Sequence, residues 1–338
     1  MKNLQDATER ICELKGGQVA LDALVPAIID ALCAPSRARL AASFDAHAEA
    51  ARTAMLHADI SDVVLSTFER DVARNRALLQ RGRRPEPDAA PTAPIDALLF
   101  ATTRVDTFAG ERVLTSASGF FFRRADRLFL VSNRHVFEDA PSGHLPDRVE
   151  IGVHTDVRDL TRYVRLSLPL YRDGPRLWRE TTGQNGAVID VAVLEIPSDL
   201  VPAEAVLRAF DDSHIAADGE DVAIGDALAI VGFPLGFHDT VHYLAVARGA
   251  SVASAFGVNF QRDACFLTDA RTHSGSSGSP VVRRRAREDA ASSALPWRLL
   301  GVHSSRMDMR TRDHAQDESL GLNCAWYADV LTTLTAER

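Results

Sequence analysis

A turn of small residues is the first part of the sequence that could do chemistry. Residues 275–280 read Gly-Ser-Ser-Gly-Ser-Pro. Such a turn exposes one serine hydroxyl and lets backbone N–H groups point into a small pocket, where they can hold the negative oxygen formed when a hydroxyl attacks a carbonyl. We predict Ser277 as the nucleophile and the N–H groups of Gly275 and Ser277 as the oxyanion-hole donors. Taken alone the motif is weak evidence, because small residues cluster in any tight turn.

A serine hydroxyl attacks efficiently only when a base removes its proton, and His135 is the candidate base. It ends an apolar run that reads Leu-Val-Ser-Asn-Arg-His-Val over residues 130–136. An imidazole titrates near neutral pH and can accept a proton and return it. The other interpretation is structural, since a histidine at the end of a strand often serves only in packing.

One carboxylate interrupts an otherwise apolar run and needs a partner. Asp190 lies inside Val-Ile-Asp-Val-Ala-Val-Leu, residues 188–194. Burying an ionised carboxylate is costly unless it is hydrogen-bonded or paired, and a histidine N–H is a suitable donor. We predict that Asp190 orients the imidazole of His135. Asp156 and Asp159 are the rival candidates, but they lie in polar sequence where no such partner is required.

The elements that must position these residues are predicted to be short strands. Runs rich in β-branched and aromatic residues recur through the second part of the chain, and Gly, Pro, Asp and Asn separate them. Many short strands without regular intervening helices favour a barrel or a sandwich over a parallel α/β sheet. The runs occupy residues 118–123, 128–131, 188–194, 227–231 and 299–302.

The first part of the chain is predicted to be a separate helical domain. Apolar residues between 60 and 79 fall close to a 3.6-residue repeat, and an alanine-rich segment over residues 36–48 has a similar pattern. We assign residues 1–84 to an α-helical bundle. Residues 85–96 form a proline-rich linker, because four prolines within this short stretch cannot continue a helix. Residues 97–338 form the mainly β domain.

Composition excludes several classes of protein. The chain has 338 residues, 46% hydrophobic residues and a net charge of −8, which are globular values and give no electrostatic reason to expect nucleic acid or an anionic membrane as partner. The four cysteines are too few and too far apart for a disulfide scaffold or a zinc site. No signal peptide or apolar run long enough to span a membrane is visible, so we expect a cytoplasmic protein without metal or other cofactor.

Together the three motifs resemble the trypsin-like serine peptidases of the chymotrypsin fold, specifically a bacterial branch without disulfides. The order His135, Asp190, Ser277 is the order of that family. Five segments look like its successive landmarks: residues 118–120, 132–136, 190–194, 232–236 and 269–280. The resemblance covers residues 97 to about 333. It implies two six-stranded β-barrels with a cleft between them.

The resemblance further implies a serine endopeptidase that acts on protein or peptide substrates through an acyl-enzyme intermediate. The digestive members carry an aspartate just before the nucleophile, which pairs with a new N-terminus after cleavage. Here that position is Ser276, which has no charge to form such a pair. We therefore expect no activation by clipping, and we expect residues 1–84 to regulate the enzyme or to recruit a protein partner.

Substrate preference is also inferred from the resemblance. Arg271 stands where trypsin has its pocket aspartate, and Thr272 and His303 match the pocket residues of peptidases that cleave after Glu or Gln. An imidazole and a hydroxyl can hydrogen-bond an acidic or amide side chain. We assign Arg271, Thr272 and His303 to substrate binding. The alternatives are that His303 is a structural strand residue beside a small apolar pocket, or that His273 lines the pocket instead.

Two other functions stay open at this point. The chain could be a catalytically silent trypsin-like module that binds peptides or partner proteins in a bacterial signalling or defence system. The helical part could also dominate as an adaptor. The presence of His, Asp and Ser together favours the enzyme, because peptidases that lose activity usually lose one of the three.

Overall fold

The structure is a computed structural model of the chain. It describes residues 34–56, 94–216, 219–285, 294–306 and 321–337, with a few single positions between residues 25 and 79. The chain divides into two compact units, residues 1–88 and 89–338. The functional residues predicted from the sequence all belong to the second unit.

The first unit contains one fully described helix, α1 (Ala34–Leu56). It includes the alanine-rich segment that the sequence predicts to be helical. In the stretch of residues 60–79, which is also predicted to be helical, Val72 and Leu79 are buried, as the 3.6-residue repeat requires. The other helices predicted for residues 1–84, and most of the predicted linker, lie outside the described residues. No helix in the described part of the chain is long and apolar enough to span a bilayer.

The second unit opens with a seven-stranded antiparallel sheet, in the order β5-β4-β1-β2-β3-β7-β6. A short helix, α2 (Arg134–Phe137), follows β3. The strands are β1 (Thr102–Ala109), β2 (Arg112–Arg124), β3 (Arg127–Ser132), β4 (Arg148–His154), β5 (Tyr163–Pro169), β6 (Trp178–Arg179) and β7 (Ala192–Ile196).

A six-stranded antiparallel sheet completes this unit, in the order β10-β13-β12-β11-β8-β9. Its strands are β8 (Ala227–Gly232), β9 (Val246–Ser251), β10 (Cys265–Thr268), β11 (Pro280–Arg284), β12 (Trp297–Arg306) and β13 (Asn323–Tyr327), and helix α3 (Val330–Leu334) follows them. The mainly β, chymotrypsin-like architecture predicted from the sequence is confirmed. The first sheet has one strand more than the six expected, because the two-residue β6 adds to its edge.

Strand β2 supplies side chains to two different cores. Because successive side chains of a strand point to opposite faces, Phe121 packs with the first sheet while Phe120 and Phe122 point the other way. The core around Phe120 and Phe122 also takes in Val231 of β8 and Val282 of β11. This shared core holds the two sheets together beside the strand ends that carry the predicted functional residues.

Candidate active site

His135 lies in the short helix that follows strand β3 of the first sheet. Strand β3 ends at Ser132, and His135 is the second residue of α2. The preceding Asn133 is fully buried, and its side-chain amide donates to the backbone oxygen of Asp190 at 2.6 Å. The segment between β3 and α2 is therefore fastened to the segment that carries the predicted carboxylate.

Asp190 stands in a tight turn just before β7. The N–H of Val191 donates to the oxygen of Ile189 at 2.8 Å, so the predicted strand over 188–194 begins only at Ala192. One carboxylate oxygen of Asp190 accepts from the backbone N–H of His135 at 3.0 Å. The other lies 2.7 Å from His135 Nδ1 and accepts the hydroxyl of Ser304 at 2.7 Å. Three donors thus compensate the partly buried charge.

The rival carboxylates serve a different purpose. Asp156 and Asp159 lie in the loop between β4 and β5, where they accept hydrogen bonds from nearby residues of that loop. Among the described residues, Asp190 is the carboxylate that hydrogen-bonds His135.

The charge of Asp190 changes the titration of the imidazole. Burial lowers the pKa of His135, but the hydrogen bond and the charge of Asp190 outweigh burial and raise this pKa above its ordinary value of 6.5. The imidazolium that would form during proton transfer is therefore stabilised by its neighbour. The hydrogen bond from Nδ1 leaves Nε2 as the nitrogen that can accept a proton.

The turn around Ser277 is held by the carbonyl groups of residues 274–277, each of which accepts one hydrogen bond. The four bonds are Leu235 N to Ser274 O at 2.6 Å, Ser118 Oγ to Gly275 O at 2.8 Å, Ser279 N to Ser276 O at 3.0 Å and Ser118 N to Ser277 O at 2.9 Å. In a planar trans peptide the N–H points opposite to the carbonyl. Fixing the carbonyl groups therefore also fixes the direction of the N–H groups that follow them.

Among the N–H groups of residues 275–279, those of Gly275 and Ser277 have no acceptor in the described part of the chain. The other three are occupied: Ser276 N donates to His273 O, Gly278 N to His303 O and Ser279 N to Ser276 O. Gly275 has φ +89°, a conformation that a glycine adopts without strain. Two fixed, unoccupied donors on either side of Ser276 are what an oxyanion hole requires.

The segments that carry Ser277 and His135 lie against each other, and the two side chains do not form a hydrogen bond in the described part of the chain. Gly278, next to Ser277, lies against the end of β3, since a Cβ built on it would be 2.3 Å from Ser132 Oγ. Ser132 is three residues before His135. In enzymes without bound substrate, catalytic hydrogen bonds are often long and tighten only when the substrate binds.

Gly278 gives a prediction about stability. A Cβ at this position would lie 2.2 Å from Ser118 O, and the φ of +83° is strained for other residues. Gly278→Ala should lower the free energy of unfolding by about 2 to 5 kcal/mol. Urea denaturation followed by tryptophan fluorescence measures this. The matched control is Gly249→Ala, since nothing lies within 4 Å of a Cβ there, and a similar loss in both variants would contradict the close approach.

The residues predicted to bind substrate fall into two groups. Arg271 is exposed, whereas Thr272 and His303 are buried. The hydroxyl of Thr272 donates to the side-chain oxygen of Asn323 at 2.6 Å. His303 pairs with Ala325, two residues along β13 from Asn323, so the two side chains share one face of the sheet. His273, the alternative pocket residue, is exposed.

This shared face carries two polar atoms without partners. Thr268 pairs with Asn323 across β10 and β13, so it lies on the face of His303 as well. Within the described residues, neither Thr268 Oγ1 nor His303 Nδ1 has a hydrogen-bond partner. Burial lowers the pKa of His303 to about 4, so its imidazole is neutral at pH 7.

Sequence reasoning missed two residues of this region. Ser304 follows His303 on β12 and therefore points to the opposite face, where it donates to Asp190. Asn323, which is 1% exposed, joins Thr272 at the start of β13. The alternation along residues 299–304 could have suggested Ser304, whereas nothing near Asn323 in the sequence marks it.

The two packed antiparallel sheets, the carboxylate–histidine pair and the fixed serine turn define the class of chymotrypsin-like β proteins. Comparison with family models gives the same class: the trypsin-like peptidase domain matches residues 117–287, just over half of the chain. The chain belongs to this family. A comparison with curated protein sequences gave no match.

Solved structures with a similar arrangement include one protease and one inactivated protease paralogue. The serine endoprotease from Yersinia pestis is 16% identical, with a TM-score of 0.43; the match covers 72% of this chain and 65% of that one. The inactivated protease paralogue S-I1 of the scabies mite is 15% identical, with a TM-score of 0.44; the match covers 73% of this chain and 96% of that one. The chain thus spans less than two thirds of the Yersinia pestis protein.

Proposed function

We propose that the chain is a serine endopeptidase that uses Ser277, His135 and Asp190. The observation that carries the proposal is the fixed turn with its two unoccupied N–H donors around Ser277, combined with the bond from His135 Nδ1 to Asp190. Membership of the trypsin-like peptidase domain family supports the same chemistry.

In the proposed reaction the hydroxyl of Ser277 attacks the carbonyl carbon of a peptide bond while its proton moves to Nε2 of His135. The carbonyl oxygen takes the negative charge and accepts hydrogen bonds from the N–H groups of Gly275 and Ser277. When the C–N bond breaks, His135 returns the proton to the leaving amine and an acyl-serine remains. Water then attacks the ester by the same steps, which releases the acid and restores the hydroxyl.

Covalent labelling tests this proposal directly. A fluorophosphonate probe should modify the wild-type chain once, and mass spectrometry of the digested adduct should place the probe on Ser277. A folded chain that neither reacts with the probe nor cleaves a diverse peptide mixture would instead support a catalytically silent binding module.

We propose a preference for Gln or Glu before the scissile bond. Thr272, His303 and Asn323 place polar groups on one sheet face, and the unpartnered atoms of Thr268 and His303 could bond a polar substrate side chain. Because the His303 imidazole is neutral at pH 7, we expect Gln to be cleaved at least as well as Glu.

Profiling with a peptide library checks this preference. His303→Ala should reduce the selectivity for Gln over Leu roughly tenfold, the equivalent of about one hydrogen bond, whereas His273→Ala should not. Dominant cleavage after Arg, Lys or Leu by the wild-type enzyme would contradict the proposed pocket.

We also propose that residues 1–84 recruit a protein partner in the cytoplasm. Support comes from the division of the chain into compact units of residues 1–88 and 89–338. Crosslinking of the full-length Ser277→Ala variant in cell extract, followed by mass spectrometry, should give partner crosslinks concentrated in residues 1–84. Crosslinks confined to the second unit would contradict this proposal.

A further inference from the structure

Ser118 makes more connections around the serine turn than any role so far described accounts for. It lies in β2, is fully buried, and uses every polar atom it has. Its backbone N–H donates to Ser277 O at 2.9 Å, and its backbone oxygen accepts the hydroxyl of Ser132 at 2.8 Å. Its own hydroxyl donates to Gly275 O and accepts the N–H of Phe233, each at 2.8 Å.

These bonds hold two of the four carbonyl groups that fix the turn. The Gly275 carbonyl belongs to the peptide immediately after one oxyanion donor, and the Ser277 carbonyl belongs to the nucleophile itself. The bond to Phe233 secures the start of the turn in which Leu235 N holds the Ser274 carbonyl. Ser118 therefore bonds two of the four carbonyl groups directly. Through the turn of residues 233–236 it also supports the Ser274 carbonyl, whose peptide carries the N–H donor of Gly275.

The hydroxyl of Ser118 is also confined. Gly232 packs so closely that a Cβ on it would lie 2.4 Å from Ser118 Oγ. A confined hydroxyl that gives one bond and receives another has little freedom to turn toward other partners. It is a rigid link between β2 in the first sheet, the Phe233 turn in the second sheet and the serine turn.

Ser276 offers no charge that could help to hold the turn. In this chain the residue before the nucleophile is an uncharged, buried serine, so its side chain cannot form an ion pair and the hydrogen bonds to Ser118 carry more of the support. We infer that Ser118 is a positioning residue that holds the oxyanion hole of Gly275 and Ser277 in its working geometry. The inference rests on the proposed peptidase function.

The test compares Ser118→Ala with Thr107→Val. Both variants remove a hydroxyl from a fully buried residue, but the hydroxyl of Thr107 in β1 bonds Thr115 and none of the residues 274–277. Ser118→Ala should lower kcat, measured per titrated active site, about 10- to 100-fold with KM changed less than about threefold, because the loss falls on the transition state. Thr107→Val should keep kcat within about threefold of the wild type.

A second measurement separates positioning from a general loss of structure. The affinity for a peptide aldehyde, which forms a tetrahedral adduct with the nucleophile, should fall in Ser118→Ala by about the same factor as kcat. Equal kcat values in Ser118→Ala and Thr107→Val, or an unchanged aldehyde affinity, would overturn the inference. If Ser118→Ala does not fold, Ser118→Cys, which fills the site but donates weakly, should lower kcat about tenfold, and an unchanged kcat would overturn the inference equally.

Failure of the peptidase proposal gives a different result. In that case the wild-type chain itself would neither hydrolyse peptides nor react with a fluorophosphonate, whatever residue stood at position 118.

Discussion

Replacing Ser277 with alanine should reduce kcat about 10⁶-fold, which is the loss known for the nucleophile of the serine peptidase subtilisin. In the proposed reaction this hydroxyl supplies the oxygen that attacks the carbonyl, and an alanine side chain has no such atom. Peptide hydrolysis, corrected for background cleavage, measures the effect. Substrate binding should persist, because the Gly275 and Ser277 N–H groups are unchanged, so KM or the Kd of a bound peptide should alter little.

Ser142→Ala controls for the substitution itself. Ser142 is an exposed serine in the loop after α2, and its hydroxyl bonds only the nearby oxygen of Asp139. Its variant should retain wild-type turnover. Residual activity in Ser277→Ala within a hundredfold of the wild type would show that a different group attacks the substrate.

Asp190→Asn should lower kcat about 10⁴-fold and change its pH dependence. An amide in this position can donate to Nδ1 of His135, which leaves the proton on the nitrogen that must act as base. Asp190 also raises the pKa of His135 against the opposing effect of burial. In the wild type, activity should fall as the pH drops through a midpoint above 6.5, the ordinary pKa of histidine. Without the carboxylate this midpoint should move to lower pH, because the imidazolium loses its stabilising charge.

The kcat of each variant measured from pH 5 to pH 9 tests this prediction, and Asp156→Asn is the matched control. Asp156 is one of the two carboxylates that rivalled Asp190 in the sequence, and it accepts backbone N–H groups in the loop between β4 and β5. Its variant should keep both the rate and the midpoint of the wild type. A midpoint that stays in place in Asp190→Asn, or one that moves in Asp156→Asn, would remove the argument for the His135–Asp190 pair.

The pairing of His135 with Asp190 could be predicted because it follows from the cost of an isolated carboxylate in an apolar run. The serine turn could be predicted because glycine spacing controls where backbone N–H groups can point. In both cases the decisive information is local in the sequence. The ends of the strands were harder to predict. Residues 188–194 read as one apolar run, but the tight turn at Ile189 means that the strand begins only at Ala192.

Asn323 and Ser118 could not be assigned from sequence because their roles depend on register between distant strands. Asn323 faces Thr272 only because β13 pairs with β10 and β12 in one particular alignment. Ser118 stands in a recognised landmark segment, yet its contact with Gly275 spans 157 residues of chain. The two-residue strand β6 is likewise too short for any sequence pattern to reveal.

The hydrogen bonds that hold the serine turn come from parts of the chain that the ribosome synthesises at very different times. Ser118 precedes it by many residues, whereas the oxygen that holds Gly278 belongs to His303, which is synthesised afterwards. A nascent chain that already contains all of His135, Asp190 and Ser277 therefore still lacks the partner that completes the turn. For the proposed peptidase, the serine turn should therefore reach its working geometry only once β12, which carries His303, has docked.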